Sequence, residues 1–263
     1  MKKFLVIGNP IQHSLSPKLH NYWLKNNNID AIYEKKLVNK KDFKEIISKV
    51  RSDEIKGINI TVPFKQEIIP FIDQLSDEAK QTNSVNTIYK KEEKIFGHNT
   101  DIAGFELGLR FLNFEIKGKQ VFILGAGGVV PSIIFALQKL GVSKIILSNR
   151  SKEKIEVIKK NFKNIDSIEW GKNTNFDLII NATSIGLDKK DSFKIDYSEG
   201  KSGKFFYDVI YNPSKTAFLQ KAEERGNKIE NGKMMFIYQA HQAFTLWHGI
   251  MPKIDEETIK LLD

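Results

Sequence analysis

The chain has no cysteine among its 263 residues, which excludes a disulfide framework, a thiolate nucleophile and a cysteine-ligated zinc site. Its histidines, His13, His20, His98, His241 and His248, are few and scattered, without metal-ligand spacing on one element. No metal is expected. No apolar run approaches the roughly 18–20 residues that a membrane-spanning helix needs. The apolar run Phe4–Ile7 behind Lys2-Lys3 is too short for a secretory signal and reads as a buried first strand. The cytoplasm is the default location, with no membrane partner.

Charge of neither sign is scarce. The 41 basic and 32 acidic residues leave a net charge of +9, but the two signs are interleaved, as in Lys90-Lys91-Glu92-Glu93-Lys94. There is no arginine-rich tract and no aromatic signature of RNA binding, so the excess reads as a lysine-rich solvated surface, not a nucleic-acid footprint. A hydrophobic fraction of 41% is that of a globular protein.

Short apolar runs of β type alternate with helical stretches. Strands are expected at Phe4–Ile7, Ala31–Leu37, Gly57–Val62, Gln120–Leu124, Lys144–Ser148, Leu178–Asn181 and Phe205–Ile210. A hairpin is expected where Val85–Tyr89 and Lys94–Phe96 flank the charged turn. Ser16, followed by Pro17, is expected to cap a helix. Helices are also expected over Asp42–Val50, around Gln66–Phe71, from Ser76, from Asp101 to about Leu112, up to Leu140 and from Lys152. Such alternation implies largely parallel sheets with helices on both faces, and its division near residue 101 implies two α/β domains.

Val121-Phe122-Ile123-Leu124 runs into the turn Gly125-Ala126-Gly127-Gly128-Val129, and a helix follows. That order is the context of a Rossmann-type dinucleotide site: Gly125 allows the tight turn, Gly127 admits a pyrophosphate, and the helix N-terminus offers amides. Val130 stands where a third small residue is usual. The next strand ends in Asn149-Arg150-Ser151-Lys152, with no acid for a ribose 2′-hydroxyl. Arg150 can pair with a 2′-phosphate and stack on adenine, so the cofactor is read as NADP(H).

Four polar clusters mark the first half: residues 8–17, 59–65, 84–87 and 97–101. Hydroxyls and amides gathered at one sheet edge suit a small ligand with several hydroxyls and a carboxylate. Lys65 is the candidate proton donor to a carbonyl oxygen during reduction. Burial disfavours its ammonium form, whereas a carboxylate such as Asp101 favours it. A cis bond at Val62-Pro63 could set the Lys65 loop, but cis is the minority form of any X-Pro bond.

These clusters, in this order, resemble the shikimate dehydrogenases over nearly the whole chain. The motifs are Gly-Asn-Pro-Ile-x-His-Ser, Asn-Ile-Thr-Val-Pro-Phe-Lys, Ser-Val-Asn-Thr, Gly-His-Asn-Thr-Asp, Gly-Ala-Gly-Gly, Asn149-Arg150-Ser151, Asn181–Gly186, Asp208–Pro213 and Gln239–Phe244. The resemblance implies NADPH-dependent reduction of 3-dehydroshikimate to shikimate, on the route to aromatic amino acids. It also implies a discontinuous substrate domain, residues 1–101 with 233–263, around an NADP-binding domain of residues 102–232.

Carried over by motif, Lys65 and Asp101 would be the catalytic pair. Ser14, Ser16, Asn59, Thr61, Asn86, Tyr211 and Gln239 would join them around the substrate. Asp77, Thr183, Val209 and Gly232 would lie at the cofactor, with the glycine turn and Asn149–Lys152. The partner is a small molecule, and the chain is a monomer or homodimer. Two alternatives stay open: a paralogue that oxidises quinate, and a nucleotide-sensing protein that kept the fold without catalysis.

Overall fold

The computed structural model describes residues 1–188, 193 and 203–263. The chain divides into two compact units, Met1–Gly104 with Ile237–Asp263, and Phe105–Phe236.

The first unit begins with β1 (Lys2–Gly8), α1 (Ser16–Asn26), β2 (Ala31–Leu37), α2 (Phe43–Arg51) and β3 (Gly57–Ile60). There follow β4 (Gln74–Leu75), α3 (Asp77–Thr82), β5 (Thr87–Lys91), β6 (Lys94–His98) and the start of α4 (Asp101–Phe111). Its six-stranded sheet has the order β2-β1-β3-β5-β6-β4, and β5 alone runs against its neighbours. The expected hairpin is present. One face of the sheet packs on α2, where Phe43, Ile46, Ile47 and Val50 recur at helical spacing and are all buried. Full burial of each such side chain is worth about 1.5–3 kcal/mol.

Two local expectations are corrected. Ser16 is not a cap but the first residue of α1. Leu15 occupies the cap position, and the Ser14 hydroxyl accepts the Ser16 N–H at 3.3 Å. Between Gln66 and Phe71 there is a 3-10 turn over Ile69–Phe71, because Pro70 has no N–H to continue a helix. Val62-Pro63 takes the minority cis form, as do Asn9-Pro10 and Asn212-Pro213.

The second unit contains β7 (Gln120–Leu124), α5 (Val130–Lys139), β8 (Lys144–Ser148), α6 (Lys152–Asn161), β9 (Ile165–Ser167) and β10 (Leu178–Asn181). β11 (Phe205–Asp208), α7 (Ala217–Glu223) and β12 (Lys228–Glu230) complete it. All strands are parallel in the order β12-β11-β10-β7-β8-β9. The chain winds outward from β7 to β9, then returns to β10 on the other side, so the switch point lies between β7 and β10. This is the doubly wound α/β fold.

The chain ends with α8 (Lys233–His248) and α9 (Glu256–Lys260). The unit boundaries fall inside α4 and α8 instead of at their ends. Asp101 in the first turn of α4 bonds Lys65 and Asn86, while Phe105 packs edge-on against Tyr207 in the second unit. In α8, Phe236 stacks on Tyr211, and further along Phe244 and Trp247 join an aromatic cluster with Trp23, His20 and Tyr33. Among the described residues no helix is long and apolar enough to cross a membrane, and no group of side chains could hold a metal ion.

Candidate active site

The four polar clusters meet at one edge of the first sheet. β1 and β3 are parallel, so residues 9–17 and 61–65 leave the sheet at the same carboxyl edge. Asn9 N–H donates to Val62 O at 3.0 Å, and a Cβ on Gly8 would stand 2.5 Å from the Thr61 methyl. Asn86 precedes β5 instead of ending a strand. It reaches that edge because β5 is antiparallel, with Thr87 opposite both Asn59 and His98. The chain then turns from β6 into α4 at Asp101.

At this edge Lys65 Nζ lies 2.5 Å from Asp101 Oδ2, and about a tenth of each side chain is exposed. Asn86 Nδ2 donates to Asp101 Oδ1 at 2.9 Å, so both carboxylate oxygens are engaged. The Asn99 side chain accepts the Asp101 N–H at 3.1 Å. Thr100, to which the sequence alone assigns no role, donates its N–H to Asn86 Oδ1 at 2.8 Å. Only its place beside Asp101 in Gly-His-Asn-Thr-Asp could have suggested it. Ser14 and Thr61 are half-buried and Ser16 is buried, all within the same loops. Gln239 is half-buried on α8, and Tyr211 belongs to the second unit.

Asn59 is different. Its side chain is 6% exposed and committed to protein partners: Oδ1 accepts the Tyr33 hydroxyl at 2.7 Å, while Nδ2 donates to Asn86 O and Thr87 Oγ1, each at 3.0 Å. It stands one layer behind the edge. Asp77 is exposed in the first turn of α3, 3.3 Å from Lys80.

In the second unit the glycine turn sits at the switch point. Gly125 has φ +114°, and a Cβ there would come within 2.7 Å of Ala182 O, so only glycine fits. Gly127 is exposed, and a Cβ there would meet nothing closer than Ala182 O at 3.9 Å. No side chain caps α5, which starts at Val130-Pro131; the Val130 N–H bonds Gly127 O at 3.0 Å, and half-buried Ala126, Gly128 and Val129 precede the helix. At the end of β8, Arg150, Ser151 and Lys152 are exposed, and Asn149 Nδ2 donates to Ser151 O at 2.9 Å. A glycine cradle, an uncapped helix start and an exposed guanidinium fit a dinucleotide with a 2′-phosphate.

Thr183 and Val209 are held by a buried network centred on Asn181 and Asp208, which open two of the sequence motifs. Asn181 Oδ1 accepts the Thr183 N–H and hydroxyl at 3.0 and 2.8 Å, and Asn181 Nδ2 donates to Asp208 Oδ1 at 3.0 Å. Asp208 also accepts the Thr216 hydroxyl at 2.7 Å and the Ile210 N–H at 3.0 Å. Burial pushes its carboxyl up to about 6, while these donors oppose the rise. Gly232 abuts Val209 so closely that a Cβ would collide with Val209 O.

Known proteins share this fold. The model of the shikimate dehydrogenase substrate binding domain matches residues 6–88, and that of shikimate / quinate 5-dehydrogenase matches residues 106–198. A shikimate dehydrogenase (NADP(+)) from Pelagibacter ubique is 56% identical over 262 residues, covering 100% of this chain and 99% of its own. The crystal structure of shikimate dehydrogenase from Aquifex aeolicus aligns with a TM-score of 0.92 at 34% identity, over 100% of this chain and 97% of its own. The Thermus thermophilus structure, in complex with NADP(H) and shikimate, aligns at 0.90 with 30% identity, over 100% and 98%. The chain belongs to the shikimate dehydrogenase family.

Proposed function

We infer that this protein catalyses the reversible, NADPH-dependent reduction of 3-dehydroshikimate to shikimate. The observation that carries the mechanism is the buried Lys65–Asp101 pair at an edge lined by hydroxyls and amides. Bound NADPH supplies the hydride. Lys65 Nζ donates a proton to the substrate oxygen as the carbonyl becomes an alkoxide, and takes it back in the reverse direction. Asp101 holds that amine in place. Ser14, Ser16, Thr61, Asn86, Tyr211 and Gln239 bind the substrate's hydroxyls and carboxylate.

Residues 1–101 with 233–263 serve as the substrate domain and residues 102–232 as the cofactor domain. In the latter, the Gly125–Val129 turn holds the pyrophosphate, and Asn149, Arg150, Ser151 and Lys152 hold the 2′-phosphate. Asp77, Thr183, Val209 and Gly232 complete the cofactor site. Purified protein is expected to reduce NADP⁺ with shikimate, and to react weakly with NAD⁺ or with quinate, in an absorbance assay. Tight NADPH binding without turnover of either substrate would overturn the reading in favour of a nucleotide sensor.

A further inference from the structure

Behind the Lys65–Asp101 pair lies a buried polar layer that the reaction above does not use. We infer that Tyr33, Asn59 and Thr87 form a one-way series of hydrogen bonds that orients Asn86 on the Asp101 carboxylate, making all three positioning residues for proton transfer. The inference rests on the reading of Lys65 and Asp101 as the catalytic pair.

The direction of the series follows from groups that can act in only one sense. Asn59 Nδ2 faces the backbone carbonyl of Asn86 at 3.0 Å, an obligate acceptor, which fixes the amide's orientation. Asn59 Oδ1 therefore faces Tyr33 at 2.7 Å, and the tyrosine hydroxyl must donate. The second Asn59 N–H donates to Thr87 Oγ1 at 3.0 Å, and the Thr87 hydroxyl donates on to Asn86 Oδ1 at 3.0 Å. Thr100 N–H, an obligate donor, meets the same Asn86 oxygen at 2.8 Å and fixes that amide too. Asn86 Nδ2 is thus left facing Asp101 Oδ1 at 2.9 Å, with Lys65 on the other carboxylate oxygen.

Each donor after Tyr33 belongs to a group polarised by the bond it accepts, and the last one ends on the carboxylate. The far end is anchored. Asn21 exchanges two hydrogen bonds with the Tyr33 backbone, at 2.8 and 2.9 Å. The Tyr33 ring lies flat on His20, with centroids 4.1 Å apart and planes 2° apart. Burial holds His20 down to about 3, so the imidazole stays neutral against the tyrosine at working pH. Tyr33, Asn59 and Thr87 are all at most 6% exposed, so none can turn to water instead. Rotation of the Asp101 carboxylate is restrained from behind, and with it the place of Lys65 Nζ relative to the substrate oxygen.

The test is the single-turnover rate of NADPH formation with shikimate, its half-saturating shikimate concentration, and the melting temperature. The variants are Tyr33→Phe, Thr87→Val, Thr87→Ser and the Tyr33→Phe/Thr87→Val double, beside Lys65→Ala. Tyr33→Phe and Thr87→Val are each expected to slow the step roughly three- to tenfold, with half-saturation within about twofold of wild type. Thr87→Ser, which keeps the hydroxyl, is expected to restore the rate. The double variant should be about as slow as the slower single one, because one broken link already interrupts the series. Unchanged rates with lowered melting temperatures would overturn the inference, as would multiplying losses in the double variant. A large change in half-saturation would also overturn it, making Asn59 and its partners substrate-binding groups instead. Lys65→Ala separates the two readings: if it stays active, the catalytic pair itself is wrong, whatever the other variants do.

Discussion

A carboxyl group with no exposed surface, such as Asp208, is tolerated because Thr216, Asn181 and Ile210 donate to it from three sides. Desolvation still dominates and raises it from 3.8 to about 6. The native state therefore binds this proton more tightly than the unfolded chain does. The group's contribution is most favourable below about 4 and is lost as pH climbs through about 6, by on the order of 3 kcal/mol. Asp208→Asn keeps the shape and removes the charge. Its stability relative to wild type, measured by urea unfolding, should improve between pH 4 and pH 7; a constant difference would contradict the account. Arg150, the proposed ligand of the 2′-phosphate, is exposed. Arg150→Ala should raise the NADPH KM roughly ten- to a hundredfold while leaving the NADH KM nearly unchanged.

Residue chemistry was legible in the sequence where it depended on type, and less so where it depended on depth. The Lys65–Asp101 meeting could be anticipated because a lysine and an acid sit in polar motifs at the same sheet edge. Asn59 could not be separated from Asn86 in this way. Both are asparagines in hydroxyl-rich motifs, and only the fold shows that Asn59 turns inward to Tyr33 while Asn86 turns to Asp101.

Among the elements, strands with long apolar runs were readable and short edge strands were not. β7, β8 and β10 have the expected bounds. β4, β9 and β12 have two or three residues each, too few for an alternating pattern, and lie at sheet edges where pairing with one neighbour defines them. Asn86 illustrates the same limit: a polar cluster at the start of an antiparallel strand serves the same edge as clusters at the ends of parallel ones.

Two glycines, Gly125 and Gly232, let backbone segments approach closely at the proposed cofactor site. Gly232→Ala would drive a methyl into Val209 O, and backbone cannot yield as a side-chain tip does. Substitution here should raise the NADPH KM and lower the melting temperature together. No change in either would mean that the Val209–Gly232 approach has no function. Gly125→Ala adds an unfavourable φ of +114° to its clash with Ala182 O and should be the more damaging of the two.

At the scale of the whole molecule, the doubly wound second sheet and the mainly parallel first one follow from strand-helix alternation, which small errors at element boundaries do not disturb. Where the chain passes between units was less legible, since α4 and α8 are each shared and periodicity alone does not say which partner a helical turn will choose. Acid sensitivity also belongs to this scale. Burial, with His248 adding, holds His20 down to about 3, and burial, with Lys2 adding, holds His248 down to about 4. Here the unfolded chain binds protons more readily, so the sign is opposite to that of Asp208. Stability is full above about 6.5 and falls as pH drops toward 3, by on the order of 5 kcal/mol for His20. His20→Phe keeps a ring against Tyr33 and should flatten the acid limb of urea stability between pH 6.5 and 3. An unchanged slope would mean that other groups control it.

The central claim is that Lys65 transfers the proton that accompanies hydride transfer to and from shikimate. It is tested most directly by Lys65→Ala, assayed for NADP⁺ reduction with shikimate and, separately, for NADPH binding by fluorescence. The account predicts a fall in kcat of roughly 10²–10⁴-fold with NADPH affinity within about twofold of wild type. A variant that keeps more than roughly a tenth of the wild-type kcat would contradict it, because general acid–base catalysis by Lys65 cannot be worth so little.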